Sequence, residues 1–454
     1  MLSTSDIVVV IASLVAVYLA ARRGRNSDAA GFLVAGRTLT IPFFVASLVA
    51  TWYGAVLGSG EFILRYGVTF ILCFGVPYYI VALLYAGFLS KRIHDAKAVS
   101  IPEQFGLTYG NKGQKIVAML LLVITTPASY QLMIGILVSQ AIGLPLLPSI
   151  IIGTIISVAY IVKGGLRSDV YANVVQVILM YAGMLLLVGH AIAKFGSPVT
   201  MWNTLPTATI EVPGAIGWIG VLGWFVIAMQ TFIDPNFFVR TVAAADHRVA
   251  RRGLAISVLC WIIFDSMQLL AGLYIVAYAP SSEPTSSYLS FAGSVLPPLA
   301  NGVFFASLLA AVMSTLDGYA LSSATMLAHD IAPRTSERLG KVQSYRLALV
   351  LVTIAGAVIA YIVPSIIDII FYSGSIAVSA ILVPLVISYT KLRAGLRRYI
   401  VLTLLAPAVA AMISLVGKLG EPIFVGLTTS VIITGLALLH ERTTKTTRDT
   451  PYSV

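Results

Sequence analysis

Cysteine, histidine and charge are all scarce in this chain. Its 454 residues include two cysteines and five histidines, and only 10% of them are charged. Cys73 and Cys260 each lie within an apolar run, which leaves neither a disulfide framework nor a metal-binding spacing. His94, His190, His247, His329 and His440 stand singly, and the chain contains no HExxH and no GxSxG. The usual zinc-hydrolase and serine-hydrolase arrangements are therefore missing, and an enzyme is not expected. No loop is long enough for a cytoplasmic signalling domain, which weighs against a receptor, and no repeated filter loop suggests a channel. The opening MLSTSD lacks the basic n-region of a cleaved signal, so the run after it reads as a retained first helix.

What the chain has in abundance is apolar sequence. It is 58% hydrophobic, with mean hydropathy +0.94, which describes a polytopic membrane protein rather than a globule with one core. Apolar segments fall at 6–22, 41–66, 68–90, 116–142, 147–162, 169–193, 214–238, 254–280, 297–331, 345–364, 366–389, 399–417 and 421–439, which predicts thirteen membrane helices. The formal net charge of +11 is a matter of topology. If the N-terminus lies outside, the loops 22–40, 91–115, 163–167, 239–252, 332–346 and 390–398 and the tail 440–454 face inside. They hold 26 of the 29 Lys and Arg, leaving only Arg65, Lys194 and Lys418. That asymmetry predicts an N-terminus outside and a cytoplasmic C-terminus in the cell membrane. It makes the lipid bilayer the partner of the basic residues, not nucleic acid, and no obligate protein partner is indicated.

The most informative segment is 303–331, VFFASLLAAVMSTLDGYALSSATMLAHDI. It is long enough to span the hydrocarbon, yet on a helix Ala311, Ser314, Thr315, Gly318 and Ser322 share one face, with Asp317 on its flank. Hydroxyls in membrane helices often only bond the carbonyl a turn back or join neighbouring helices. A carboxylate near mid-membrane is costly and marks a functional candidate. Oxygen ligands with no sulfur or nitrogen suit a small hard cation.

Two other segments carry glycine interruptions. One is 41–66, with Gly54, Gly58 and Gly60; the other is 214–238, with Gly217, Gly220, Gly223 and then Asp234-Pro235. Four segments separate them. Interrupted helices at matching places point to an inverted-repeat transporter whose site lies where the helices unwind, although glycine is also common in membrane helices for close packing alone.

Four stretches resemble the sodium:solute symporter family: FLVAGRTL (32–39) with SLVATWYGAVLGSGEFILRYG (47–67), GGLRSDVYANVVQ (164–176), DPNFFVRTVAAADHRVARRG (234–253) and LLAAVMSTLDGYALSSATMLAHDI (308–331). The resemblance implies an all-α membrane fold with a five-plus-five inverted-repeat core of the leucine-transporter type, one helix before it and two after. The corresponding divisions are 1–40 for the first helix and loop, 41–193 and 214–389 for the repeats, 399–439 for two peripheral helices and 440–454 for the tail. It also implies sodium-coupled symport of a small polar organic solute by alternating access, with Na+ as the coupling ion. Matched residue by residue, the sodium site uses the carbonyls of Ala50, Tyr53 and Ala311 and the hydroxyls of Ser314 and Thr315.

Some family members bind a second sodium through an aspartate at the position of Asn173 here. Either Asp317 completes such a site with the Asn173 carbonyl, or the site is lost and Asp317 titrates, as in a proton-coupled symporter, or meets a cationic substrate. Trp52, Trp224 and Gln230 are candidates for the solute pocket. Glu61 is another, although a pair with Arg65 at i, i+4 is the plainer reading. Asp169 reads as a helix cap and Arg240 as a cytoplasmic anchor, while Asp265 has no assignable partner in sequence.

Overall fold

The computed structural model describes residues 2–25, 28–96, 98–279, 286–362 and 366–448, with side chains at all of these except 335–336, 366–373 and 442–448. The described residues form helices and no strands. In chain order the apolar helices are α1 (Thr4–Arg23), α2 (Ile41–Tyr66), α3 (Ile71–Ala96), α4 (Asn111–Ile142), α5 (Leu146–Val158), α6 (Ile161–Phe195), α7 (Gly214–Ala243), α8 (His247–Tyr278), α9 (Ala300–Ile331), α10 (Lys341–Ile362), α11 (Ile366–Ser388), α12 (Ile400–Gly417) and α13 (Pro422–Arg448). Among the described residues eleven helices are long and apolar enough to cross a membrane, against the thirteen spans expected. The shorter apolar ones are Leu146–Val158 and Gly374–Ser388. The junction at 363–365 lies outside the described residues, as do residues 449–454 of the tail.

Helices suit this setting because each satisfies its own backbone where no water is at hand. Local sequence sets several of the ends. Ser3 caps α1 in a reciprocal capping box with Asp6. Asp246 accepts the amides of Val249 and Arg248 at the start of α8, which holds its carboxyl below the usual range. The loop 91–115 carries a helix, Ile101–Tyr109, in which Ile101, Pro102, Gln104 and Phe105 are buried. The inside loop expected at 163–167 is a sharp bend within α6, with Gly165 at φ 59°.

Burial sorts the bundle into centre and rim. The most apolar stretch of α9 is 89% buried and that of α1 only 17%. Leu259 and Ile263 of α8, Ile354 of α10 and Val409 of α12 are exposed on outer faces. A soluble protein does not leave so large an apolar surface to water, whereas lipid covers it at no cost.

Both glycine-marked helices are broken, though not at every glycine. In α2 the break is a single 3-10 turn at Tyr53–Ala55, whereas Gly58 and Gly60 lie inside the following helical half. In α7 the regular helix ends at Ile227, passes through a tight turn at Ala228–Phe232, and restarts at Pro235. Asp234 caps the new half by accepting the amides of Asn236 and Phe237 at 2.7 and 3.3 Å.

Candidate functional site

Three layers of side chains meet where the breaks in α2 and α7 face α9. The first is the hydroxyl face of α9. Thr315 Oγ1 lies 2.8 Å from the carbonyl oxygen of Thr51 and 3.2 Å from that of Ala311. Thr51 is in the last turn before the α2 break, where helix carbonyls lose their intrahelical partners. Ser314 donates to Asn173 Oδ1 at 2.7 Å, and its oxygen is 3.2 Å from Thr51 Oγ1. Ser314 and Thr315 therefore both meet α2 at Thr51.

On α2 the expected carbonyls, those of Ala50 and Tyr53, flank the one that α9 contacts. The peptide oxygen bonded to Thr315 is that of Thr51. Ala50 is fully buried one residue earlier, and Tyr53 lies in the break itself, with its hydroxyl donating to the Trp261 carbonyl at 3.1 Å.

The second layer is charged. Arg240 was read as a cytoplasmic anchor, but it is wholly buried. Its guanidinium donates to Ser47 Oγ (2.8 Å), Thr51 Oγ1 (2.6 Å), Asn236 Oδ1 (3.0 Å) and Asp169 Oδ2 (3.0 Å). Asp169 is correspondingly no cap: it lies inside α6, buried, and is the carboxylate of an ion pair. Asn173, one turn on, donates to Asp169 (3.0 Å) and Ser47 (3.2 Å).

The expected pairing of Asp317 with Asn173 is not assembled. Asp317 accepts from Ser157 at 2.7 Å and from the hydroxyl of Tyr160, both on the α5–α6 side of α9. Asp317 is two positions beyond Thr315, about 200° around α9, so its carboxylate lies away from the Thr51 contact.

The third layer is a cavity of about 150 Å³. Trp52, Trp224 and Gln230 all line it, as does Thr315. Glu61 is not among its lining residues. It makes the i, i+4 pair with Arg65 at 2.5 Å, the plainer of its two readings. Sequence reasoning missed Asp265, Tyr78, Phe237 and Tyr319 as lining residues. Only Asp265 had stood out in sequence, as a carboxylate alone in an apolar run. Tyr79 donates to it at 2.5 Å, and Tyr319 donates to Asp234 at 2.8 Å.

A model of the sodium:solute symporter family matches residues 32–394. Among similar proteins, sodium-coupled monocarboxylate transporter 2 of Danio rerio is 24% identical over 64% of this chain and 48% of its own length. The sodium/pantothenate symporter of Haemophilus influenzae is 22% identical over 70% and 69%. The high-affinity proline transporter of Bacillus subtilis is 23% identical over 50% of each chain. The match thus spans about half the length of several of these relatives. Among solved structures, a substrate-bound, outward-open Na+-coupled sialic acid symporter superposes with TM-score 0.79 at 14% identity, covering 97% of this chain and 98% of that one. A nucleobase-cation-symport-1 family transporter gives TM-score 0.63 at 13% identity, covering 91% and 95%. At such identities the superpositions speak to the fold.

Proposed function

The chain belongs to the sodium:solute symporter family, and from that premise we propose that it is a secondary transporter coupling sodium to the uptake of a small organic solute by alternating access. The observation that carries this is the contact of Thr315 Oγ1 with the Thr51 carbonyl. It joins an unbroken central helix to the end of a half-helix through oxygens alone. We place the ion among the carbonyls of Thr51 and Ala311 and the hydroxyls of Ser314 and Thr315, whose hydrogens would turn away as lone pairs turn inward. The repeats at 41–193 and 214–389 each open with a broken helix, and movement of the broken α2 against α9 would open the site.

Coupling requires only differential affinity. An ion that bridges α2 and α9 in one arrangement, and loses half its ligands in the other, shifts the balance by the difference in its binding free energy. Charge favours a cation as well. Asp169, Asp234, Asp265 and Asp317 are buried, against Arg240 as the buried base among the described residues. The alternative, proton coupling through Asp317, has less behind it, because that carboxylate is held by two donors outside the α2–α9 contact.

The test is thermal unfolding of the purified protein across sodium and potassium titrations. Sodium is expected to stabilise it with saturation and potassium not, by the linkage of binding to folding. In Thr315→Val the sodium midpoint should rise about tenfold or more, the hydroxyl being worth roughly 1–3 kcal/mol where its partner is left unpaired. Equal stabilisation by both salts, or an unmoved midpoint in the variant, defeats the assignment.

A further inference from the structure

We propose that the cavity beside the α2 break takes a small organic cation, an alkylammonium, with Asp265 as its counter-ion and the rings around Trp52 as its wall. This rests on the transport reading above and names the solute class for the same site.

The chemistry of the lining carries the inference. Among its described lining residues there is no Lys, Arg or His, while Asp234 and Asp265 both belong to it. Asp234 is already satisfied by two amides and the Tyr319 hydroxyl. Asp265 has neither an amide terminus nor a guanidinium against it, and its neighbours are the phenols of Tyr79 and Tyr53. A cation beside a carboxylate so placed would offset the desolvation of its charged form. Gln230 presents a buried carbonyl oxygen without a hydrogen-bond partner in the same cavity. Asp265 and the Gln230 oxygen are both acceptors, and a solute that donates answers them.

The rest of the wall is aromatic. Trp52 stacks on Trp261 with centroids 5.0 Å apart and meets Tyr78 and Phe237 edge-on at 5.1 and 5.6 Å. Such faces attract alkylammonium groups and give a sugar's hydroxyls no partners. Two of the three lining amides are engaged: Gln268 donates to Ser59 at 2.9 Å, and Asn236 accepts from Arg240. A carboxylate solute would add a third negative charge to a space with no base in its lining, and one sodium at the cage offsets only one of them.

The experiment uses the full-length protein, with potassium as the sodium replacement because organic cations are themselves the probes. Thermal unfolding is followed with choline, tetramethylammonium, lactate, pantothenate and galactose, each in sodium and in potassium. Choline or tetramethylammonium should stabilise the protein, more strongly in sodium, and lactate, pantothenate and galactose should not. Asp265→Asn should weaken that response at least about tenfold and Asp265→Glu should retain part of it; stabilisation by sodium alone in the same variants reports that they are folded. The proposal is overturned if a carboxylate or the sugar stabilises and the ammonium compounds do not. It is equally overturned if Asp265→Asn responds to choline as the wild type does. If sodium stabilises but no ammonium compound does, the solute class falls while coupling stands. If choline acts equally in both salts, the cation site stands while sodium coupling falls.

Discussion

Gly54 shows how narrowly the site is built at the scale of one residue. A Cβ placed there would lie 2.3 Å from Thr315 Cβ and 2.5 Å from its hydroxyl oxygen. The absence of a side chain lets the α2 break press against α9, and no rotamer of Thr315 relieves a clash with its own Cβ. Gly54→Ala is therefore expected to push the break away from α9 and abolish stabilisation by sodium, while Gly58→Ala, which meets nothing within 4 Å, should leave it intact. Sodium titrations of both variants by thermal unfolding separate them, and equal behaviour would show that the contact is dispensable. Glycines at 54 and 58 look alike in sequence because spacing alone does not say which faces a neighbour.

At the scale of elements, Arg240 and Asp169 tie α7 to α6, and Ser47 and Thr51 bring α2 into the same network. Burying a guanidinium costs more than one hydrogen bond returns, so each partner is needed to make the other tolerable. Arg240→Met and Asp169→Asn should each destabilise the protein by roughly 3–5 kcal/mol, since each strands the opposite charge. The double variant should be milder than the sum of the two. A double-mutant cycle on unfolding checks this, and additive losses would mean that the ions do not interact. The mistaken reading of Arg240 has a physical cause. It lies six residues after Asp234 in a segment that turns basic, and nothing local shows that Pro235 starts another helical half that carries it inward.

For the whole molecule, the distribution of Lys and Arg predicts an outside N-terminus and a cytoplasmic C-terminus. Moving Arg240 from loop to core removes one residue from the inside count and leaves the bias standing. With Cys73 and Cys260 replaced, single cysteines at Ser3 and at the exposed Lys391 test the orientation. A membrane-impermeant thiol reagent added to intact cells should label the Ser3 position and spare Lys391 until the membrane is opened. The opposite pattern inverts the topology, and with it the direction of transport.

Apolar length and period made the helices readable from the chain alone, because a membrane leaves the backbone few alternatives and those constraints act within each segment. The broken α2 and α7 and the face of Ala311, Ser314 and Thr315 were readable for the same reason, as local patterns of glycine and hydroxyl. Which oxygen of α2 meets Thr315, that Asp317 turns to Ser157 and Tyr160, and that Arg240 lies beside Asp169 were decided only by tertiary packing. Each of those depends on the rotation and depth of one helix against another, and a shift of two residues along a helix swings a side chain about 200° around its axis.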